Sequence, residues 1–136
     1  AACGPENNGM SDGGASSCTD ISPQAIPAPG ADTLAVNQAK TFIGNGGSPA
    51  VFVVRDSKGF FAMQPVCTHS GCDPTFNATA ATFDCRCHGS RFNIDGTVKM
   101  GPAARPLQHL SLCRRNDGVL VVEPYGYLMG IDKRLT

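Results

Sequence analysis

Charge of neither sign predominates in this chain, where eleven Lys and Arg stand against eleven Asp and Glu in 136 residues. Without a net charge there is no global field to draw in a phosphate backbone or an anionic membrane, so nucleic acid is not an expected partner. Long apolar runs are missing too. The longest, Val51-Phe52-Val53-Val54 and Val119-Leu120-Val121-Val122, fall far short of the roughly 20 residues a spanning helix requires, so these residues are expected to form a soluble unit. No amphipathic helical period extends beyond about ten residues, and sixteen Gly and ten Pro oppose long helices. No repeat recurs at a fixed period. The length suits one domain with a modest core.

What is present is β-rich and cysteine-rich. Val51 to Val54 and Phe60 to Met63 flank the turn residues Asp56-Ser57-Lys58-Gly59, which predicts a hairpin. A second is predicted where Leu110 to Arg114 and Val119 to Val122 flank Asn116-Asp117-Gly118, and a further turn at Asp95-Gly96. Residues 1–30, rich in Gly, Pro, Ser and Asn, show no apolar period and read as a tail or linker. Seven cysteines exceed what a reduced cytosolic protein of this size usually carries, pointing to metal ligation, disulfides or both.

Two clusters concentrate the chemistry: Cys67-Thr68-His69-Ser70-Gly71-Cys72 and Cys85-Arg86-Cys87-His88-Gly89-Ser90. Each offers a thiolate and an imidazole in one short loop, and Gly71 and Gly89 let the backbone turn closely beside a bound group. Zinc fingers usually pair their cysteines in one place and their histidines in another, at helical spacing, which is not the pattern here. Covalent haem c needs two residues between the cysteines of its motif, and Cys85-Arg86-Cys87-His88 has only one. A cysteine protease would leave the second Cys/His loop unexplained.

The order Cys-x-His, fifteen intervening residues, Cys-x-x-His resembles the Rieske family, in which two cysteines bind one iron of a 2Fe-2S cluster and two histidines bind the other. The resemblance extends to Ser90 and to Gly101-Pro102-Ala103-Ala104-Arg105-Pro106-Leu107, similar to the family's proline loop. It implies that Cys67 and Cys85 hold the inner iron and His69 and His88 the outer one, and that Ser90 donates a hydrogen bond to a bridging sulfide. It also implies a disulfide between Cys72 and Cys87, as in the cytochrome bc type and unlike the soluble low-potential ferredoxins. Such a bond needs an oxidising compartment. No catalytic residue is implied beyond the cluster.

Mixed ligation has an electrostatic logic. In formal charges two thiolates neutralise the oxidised core, whereas four would leave it anionic, so the site accepts an electron more readily; the family spans roughly −150 to +300 mV. Two residues depart from the high-potential pattern: Phe92 stands where a tyrosine hydroxyl would donate to a ligand cysteine, and Ser70 where the respiratory proteins carry leucine. Arg86 replaces a common proline and adds a fixed charge beside the cluster.

The fold the resemblance implies is an all-β, Rieske-type antiparallel β-sandwich with an inserted cluster-binding subdomain. Residues 1–36 would form an N-terminal tail or linker, 37–136 the Rieske domain, and about 65–104 the inserted subdomain. The implied function is one-electron transfer as the Rieske component of a quinol-oxidising cytochrome bc-type complex. The alternative is a periplasmic carrier, or a small subunit of another oxidoreductase that does not bind quinol. Expected partners are a c-type cytochrome or a cytochrome b subunit, with quinol a candidate, on the extracytoplasmic, periplasmic side. Ala1-Ala2-Cys3 resembles part of a lipoprotein cleavage site, so a lipid or removed anchor stays open, but a disulfide at Cys3 is the preferred reading. Of the cysteines left over, Cys3 with Cys18 is the preferred pair and Cys18 with Cys113 the rival. His109, outside both loops, reads as a surface or strand residue without a role.

Overall fold

The computed structural model describes Cys18 and residues 21–44, 50–66, 72–87 and 89–136. Ten strands form two antiparallel sheets. The larger contains β1 (Ile26–Ala28), β2 (Gln38–Ile43), β3 (Ala50–Asp56), β4 (Gly59–Met63), β9 (His109–Arg114) and β10 (Leu120–Met129), in the order β1-β10-β9-β4-β3-β2. The smaller runs in chain order through β5 (Thr75–Asn77), β6 (Thr82–Asp84), β7 (Arg91–Phe92) and β8 (Val98–Met100). Its whole sequence is thus inserted between β4 and β9, which are neighbours in the larger sheet and pair directly, Ala62 opposite Leu110 and Met63 opposite His109.

Both predicted hairpins are present. β3 meets β4 with Val54 opposite Phe61 and Asp56 opposite Gly59, and β9 meets β10 with Val121 opposite Cys113. The apolar run in β3 does not alternate with polar residues because the strand is covered on both faces. Val51 and Val53 enter one core with Ile26, Phe60, Ala62, Leu110, Leu112, Leu120 and Val122. Phe52 and Val54 enter a second, with Phe61 and Met63 from β4 and with Phe83, Cys85, Phe92, Ala103 and Leu107 from the inserted segment. Side chains of successive strand residues point to opposite faces, so one hairpin serves both cores.

Ile26–Ala28, assigned to the tail by its composition, is a strand of the larger sheet. Ile26, Ala28 and Ala31 are fully buried. A three-residue strand is too short to show a period, and Pro27 fits because β1 lies at the sheet edge, where a missing N–H breaks no interior ladder. The preferred pairing of Cys3 with Cys18 is also corrected: Cys18 is bonded to Cys113, with Cα atoms 5.2 Å apart. Cys3 lies outside the described residues. Leu110 and Leu112 of β9 face the first core, whereas Cys113 packs with Val121, Cys18 and Ala25 in a separate cluster beneath the N-terminal strap. Glu123 is buried under the same strap and accepts hydrogen bonds from the Ser22 N–H (2.7 Å) and hydroxyl (2.6 Å). The bond spans 95 positions, a loop whose closure is worth about 4–5 kcal/mol in the chain-entropy account.

The C-terminus closes over the first hairpin. Phe60 and Leu135 exchange main-chain hydrogen bonds of 2.8 Å, and Arg134 forms a buried ion pair with Asp56, Nη2 to Oδ2 2.7 Å and Nε to both carboxylate oxygens 3.0 Å. Burial works against the charge of Asp56, but donation from Arg134 and the Lys58 N–H outweighs it and holds the carboxyl below its ordinary value of 3.8. A lowered folded-state pKa makes the stabilisation complete above the unfolded value and progressively lost as pH falls through the folded one. Replacing Asp56 by Ala strands the guanidinium, so chemical denaturation at neutral pH should show Asp56→Ala less stable by roughly 3 kcal/mol. The difference from the parent protein should shrink as the pH is taken below about 4, where first the unfolded-state carboxyl and then, at lower pH, the folded one is protonated.

Candidate metal centre

The second ligand loop is described from Cys85 to Cys87 and again from Gly89, and the first only at its end, Cys72. Cys67, His69, Ser70 and His88 lie outside the described residues, so three of the four implied ligands have no described position. Accordingly, no group of three or more potential ligands occurs among the described residues.

Cys85 follows β6 and is 2% exposed. It packs with Phe83, Phe92, Ala103 and Leu107 in the second core and is a free thiol among described cysteines that are otherwise all in disulfides. The loop after it is closed by the main chain: the Cys85 N–H donates to the Ser90 carbonyl (2.8 Å) and the Gly89 N–H to the Cys85 carbonyl (3.0 Å). Gly89 makes this turn at φ +79°, a conformation that side chains disfavour. Cys72 and Cys87 are joined by a disulfide with Cα atoms 6.4 Å apart, which staples the start of the segment leading to β5 to the loop carrying Cys85.

Ser90 is completely buried, and its hydroxyl oxygen accepts the Ala103 N–H at 3.0 Å. The hydroxyl proton has no acceptor among the described residues and is therefore free to donate to a group held by this loop. A buried, unoxidised thiol beside a buried hydroxyl with a proton to give is a donor set suited to an iron-sulfur cluster, whose sulfides need such donors and whose irons need thiolates. The hydrogen bond from Ala103 also fixes the segment 101–107 over the loop.

A polar clamp that the sequence did not reveal borders Cys85 on the other side. Asp84 accepts from the Thr82 hydroxyl (2.9 Å), Arg91 Nε (3.1 Å) and Asn77 Nδ2 (3.3 Å), tying β5, β6 and β7 together next to Cys85. Burial opposes its charge, but these donors prevail and keep the carboxyl below 3.8. The three side chains meet only because pairing sets Asp84 opposite Arg91 and Thr75. Arg86 is exposed on the loop between Cys85 and Cys87.

The sequence matches the Rieske [2Fe-2S] domain over residues 26–111. The chain belongs to the Rieske family. Its resident cofactor is accordingly a Rieske-type 2Fe-2S cluster, and residues 26–111 contain both sheets except for β10 and residues 112–114 of β9. Among curated relatives, the cytochrome b6-f complex iron-sulfur subunit of Gloeobacter violaceus is 39% identical over 57% of this chain and 42% of its own length. That of a Synechococcus strain is 33% identical over 80% of this chain and 63% of its own. The matches thus span less than two thirds of these relatives. Among solved structures, the plasma-membrane Rieske protein PetC3 of Synechocystis is 34% identical, with a TM-score of 0.50 over 60% of this chain and 84% of that one.

His109 was read as a surface or strand residue. It begins β9 and is 3% exposed, so the surface reading is corrected. Nothing local in the sequence signals this, because its neighbours Phe61 and Asp95 are brought to it by other strands.

For the Rieske domain the Ser90 geometry makes a quantitative expectation. Ser90→Ala should lower the midpoint potential and Phe92→Tyr raise it, since a hydrogen bond worth about 1.4 kcal/mol more to the reduced state corresponds to ~59 mV for a one-electron couple. Protein-film voltammetry checks both signs, and Ser90→Ala should also melt lower, because it leaves the buried Ala103 N–H without an acceptor.

Proposed function

We propose that this domain transfers single electrons as the Rieske component of a quinol-oxidising cytochrome bc-type complex. The observation that carries the reading is the Cys72–Cys87 disulfide set beside the buried free thiol of Cys85, a combination that the family resemblance associates with the bc-type branch. The b6-f subunits among its relatives point the same way. In this reading Cys67 and Cys85 hold the inner iron, His69 and His88 the outer one, and Ser90 donates to a bridging sulfide. When bound, the cluster supplies one reversible oxidation and reduction.

The chain's own residues prepare that step. The disulfide holds the two loops together, the core around Phe83 and Phe92 keeps water from Cys85, and the segment 101–107, fastened to Ser90, covers the site. The imidazoles of His69 and His88 would present the edge through which a c-type cytochrome or a cytochrome b subunit exchanges electrons, with quinol as the donor. Disulfide formation favours the extracytoplasmic, periplasmic side, with membrane association through the complex. Among the described residues no helix is long and apolar enough to cross a membrane. The inserted subdomain, about 65–104, would be the cluster-binding unit and the larger sheet its base.

Phe92 favours a second reading. It is fully buried in the core that contains Cys85, and it has no hydroxyl to donate. A lower potential than that of tyrosine-bearing members suits a periplasmic carrier or small subunit that does not meet quinol.

The matured protein should contain iron and acid-labile sulfide in equal amounts and give the low g-average signal of a reduced Rieske centre. It should be reduced by a quinol analogue when its cytochrome b is supplied and reoxidised by a c-type cytochrome. Reduction by other proteins but never by quinol would support the second reading, and a colourless zinc-loaded protein would overturn both.

A further inference from the structure

His109 belongs to the base sheet, yet its hydrogen bond is to the inserted segment. Nε2 lies 2.7 Å from the carbonyl oxygen of Asp95 in the turn between β7 and β8. Because a carbonyl only accepts, Nε2 carries the proton and Nδ1 is the bare nitrogen. Nδ1 is buried and has no hydrogen-bond partner among the described residues. The ring lies flat on Phe61, with centroids 4.7 Å apart and planes 5° from parallel, and the guanidinium carbon of Arg134 sits 4.2 Å from the centroid of that same phenyl ring.

The Asp95 turn is itself tightly knit. Its carboxylate accepts from the Thr97 N–H (3.0 Å) and hydroxyl (2.6 Å), the Gly96 N–H donates to Asn93 O (2.8 Å), and the Gly96 carbonyl accepts the Leu107 N–H (2.9 Å). Gly96 has φ +90°, and a β-carbon there would lie 2.6 Å from the Met63 sulfur, so the turn is pressed directly against the base. The segment 101–107 is therefore held at two points, Ala103 on the Ser90 hydroxyl and Leu107 on the turn that His109 holds.

We propose that His109 is a positioning residue that latches the cluster-bearing sheet to the base sheet, and that the latch holds only while its imidazole is neutral. A second proton would have to sit on Nδ1, in a buried space with no acceptor among the described residues. The charged groups around it are Arg134 from the C-terminal segment, Asp95 from the turn and Asp56 from β3. The Asp56 carboxylate is already engaged by Arg134, and that of Asp95 by Thr97. From β4, Phe61 stacks on the ring and Met63 is the residue paired with His109, and neither bears a charge. Burial first, with Arg134 adding to it, moves the imidazole below its ordinary 6.5, against smaller upward pulls from the Asp95 carbonyl and the two carboxylates. The sign follows: the contribution is complete above about pH 6.5, where the unfolded imidazole is also neutral, and declines as acid protonates first the unfolded and then the folded form.

The inference rests on the proposed cluster site, but its first readout needs no redox partner. Hydrogen exchange of the holoprotein, corrected for intrinsic rates, should show at least a tenfold loss of protection across 93–97 and 103–107 between pH 7 and pH 4.5. His109→Phe keeps the ring on Phe61 but lacks the donor, and should show low protection throughout together with a lowered midpoint. His109→Gln keeps an N–H donor that does not titrate, and should restore both the protection and the midpoint while losing the acid transition. Unchanged protection in His109→Phe, or an acid transition retained in His109→Gln, would overturn the proposal. Should a variant fail to accumulate, nitrogen NMR of the parent protein with labelled histidine decides: an Nε2–H tautomer persisting below pH 6.5 is expected, and a doubly protonated ring at pH 6.5 would overturn it. Failure of quinol oxidation leaves these outcomes untouched.

Discussion

The hairpin β3–β4 has no solvent face, and the arrangement of the molecule follows from that. Val51, Val53, Phe60 and Ala62 fill the core of the base, while Phe52, Val54, Phe61 and Met63 form the floor on which the inserted sheet sits. An apolar surface of that size must be covered, because leaving Phe52 and Phe61 in water would forfeit the burial free energy of aromatic side chains, about 1.5–3 kcal/mol each. The inserted sheet has little core of its own. It meets the base through Phe83, whose ring lies 4.8 Å from that of Phe52, and through Phe92 in the same core. The loop that begins at Cys85 is thereby anchored to the core shared with the base.

Links within the inserted segment, and a further one to the base sheet, brace the region of the site. The Cys72–Cys87 disulfide fastens loop to loop, Ser90 holds the covering segment, and His109 reaches from the base to the turn at Asp95. Electron transfer asks for little movement of the ligands between oxidation states, and a small sheet with few contacts of its own cannot supply that rigidity. Elsewhere in the base, the Cys18–Cys113 bond fixes the N-terminal strap to β9, and Asp56 with Arg134 closes the C-terminal segment over the first hairpin.

How much was legible depended on whether neighbours in space were neighbours in sequence. The two hairpins announced themselves through apolar runs around Ser57-Lys58-Gly59 and Asn116-Asp117-Gly118, since such turns are decided within a few residues. The family and its cluster were legible for the same reason, since the two Cys/His clusters that carry the resemblance are each contiguous, and the sequence matches the Rieske domain over 26–111. The strand Ile26–Ala28 was not legible, because three residues display no period and its burial is conferred by β10. The partner of Cys18 was left between Cys3 and Cys113, because a residue 95 positions away is brought near only by the placing of β9.

The sequence by itself determined the all-β character, the turns and the chemical kind of the site, because strand alternation, turn residues and the order of cysteines and histidines act over short stretches of chain. Tertiary structure alone decided which faces are buried, which distant cysteines meet, that Asp84 is clamped by three strands, and that His109 is an interior residue with one bare nitrogen. Those properties belong to pairs of strands brought side by side, and no single stretch of residues contains both members of the pair.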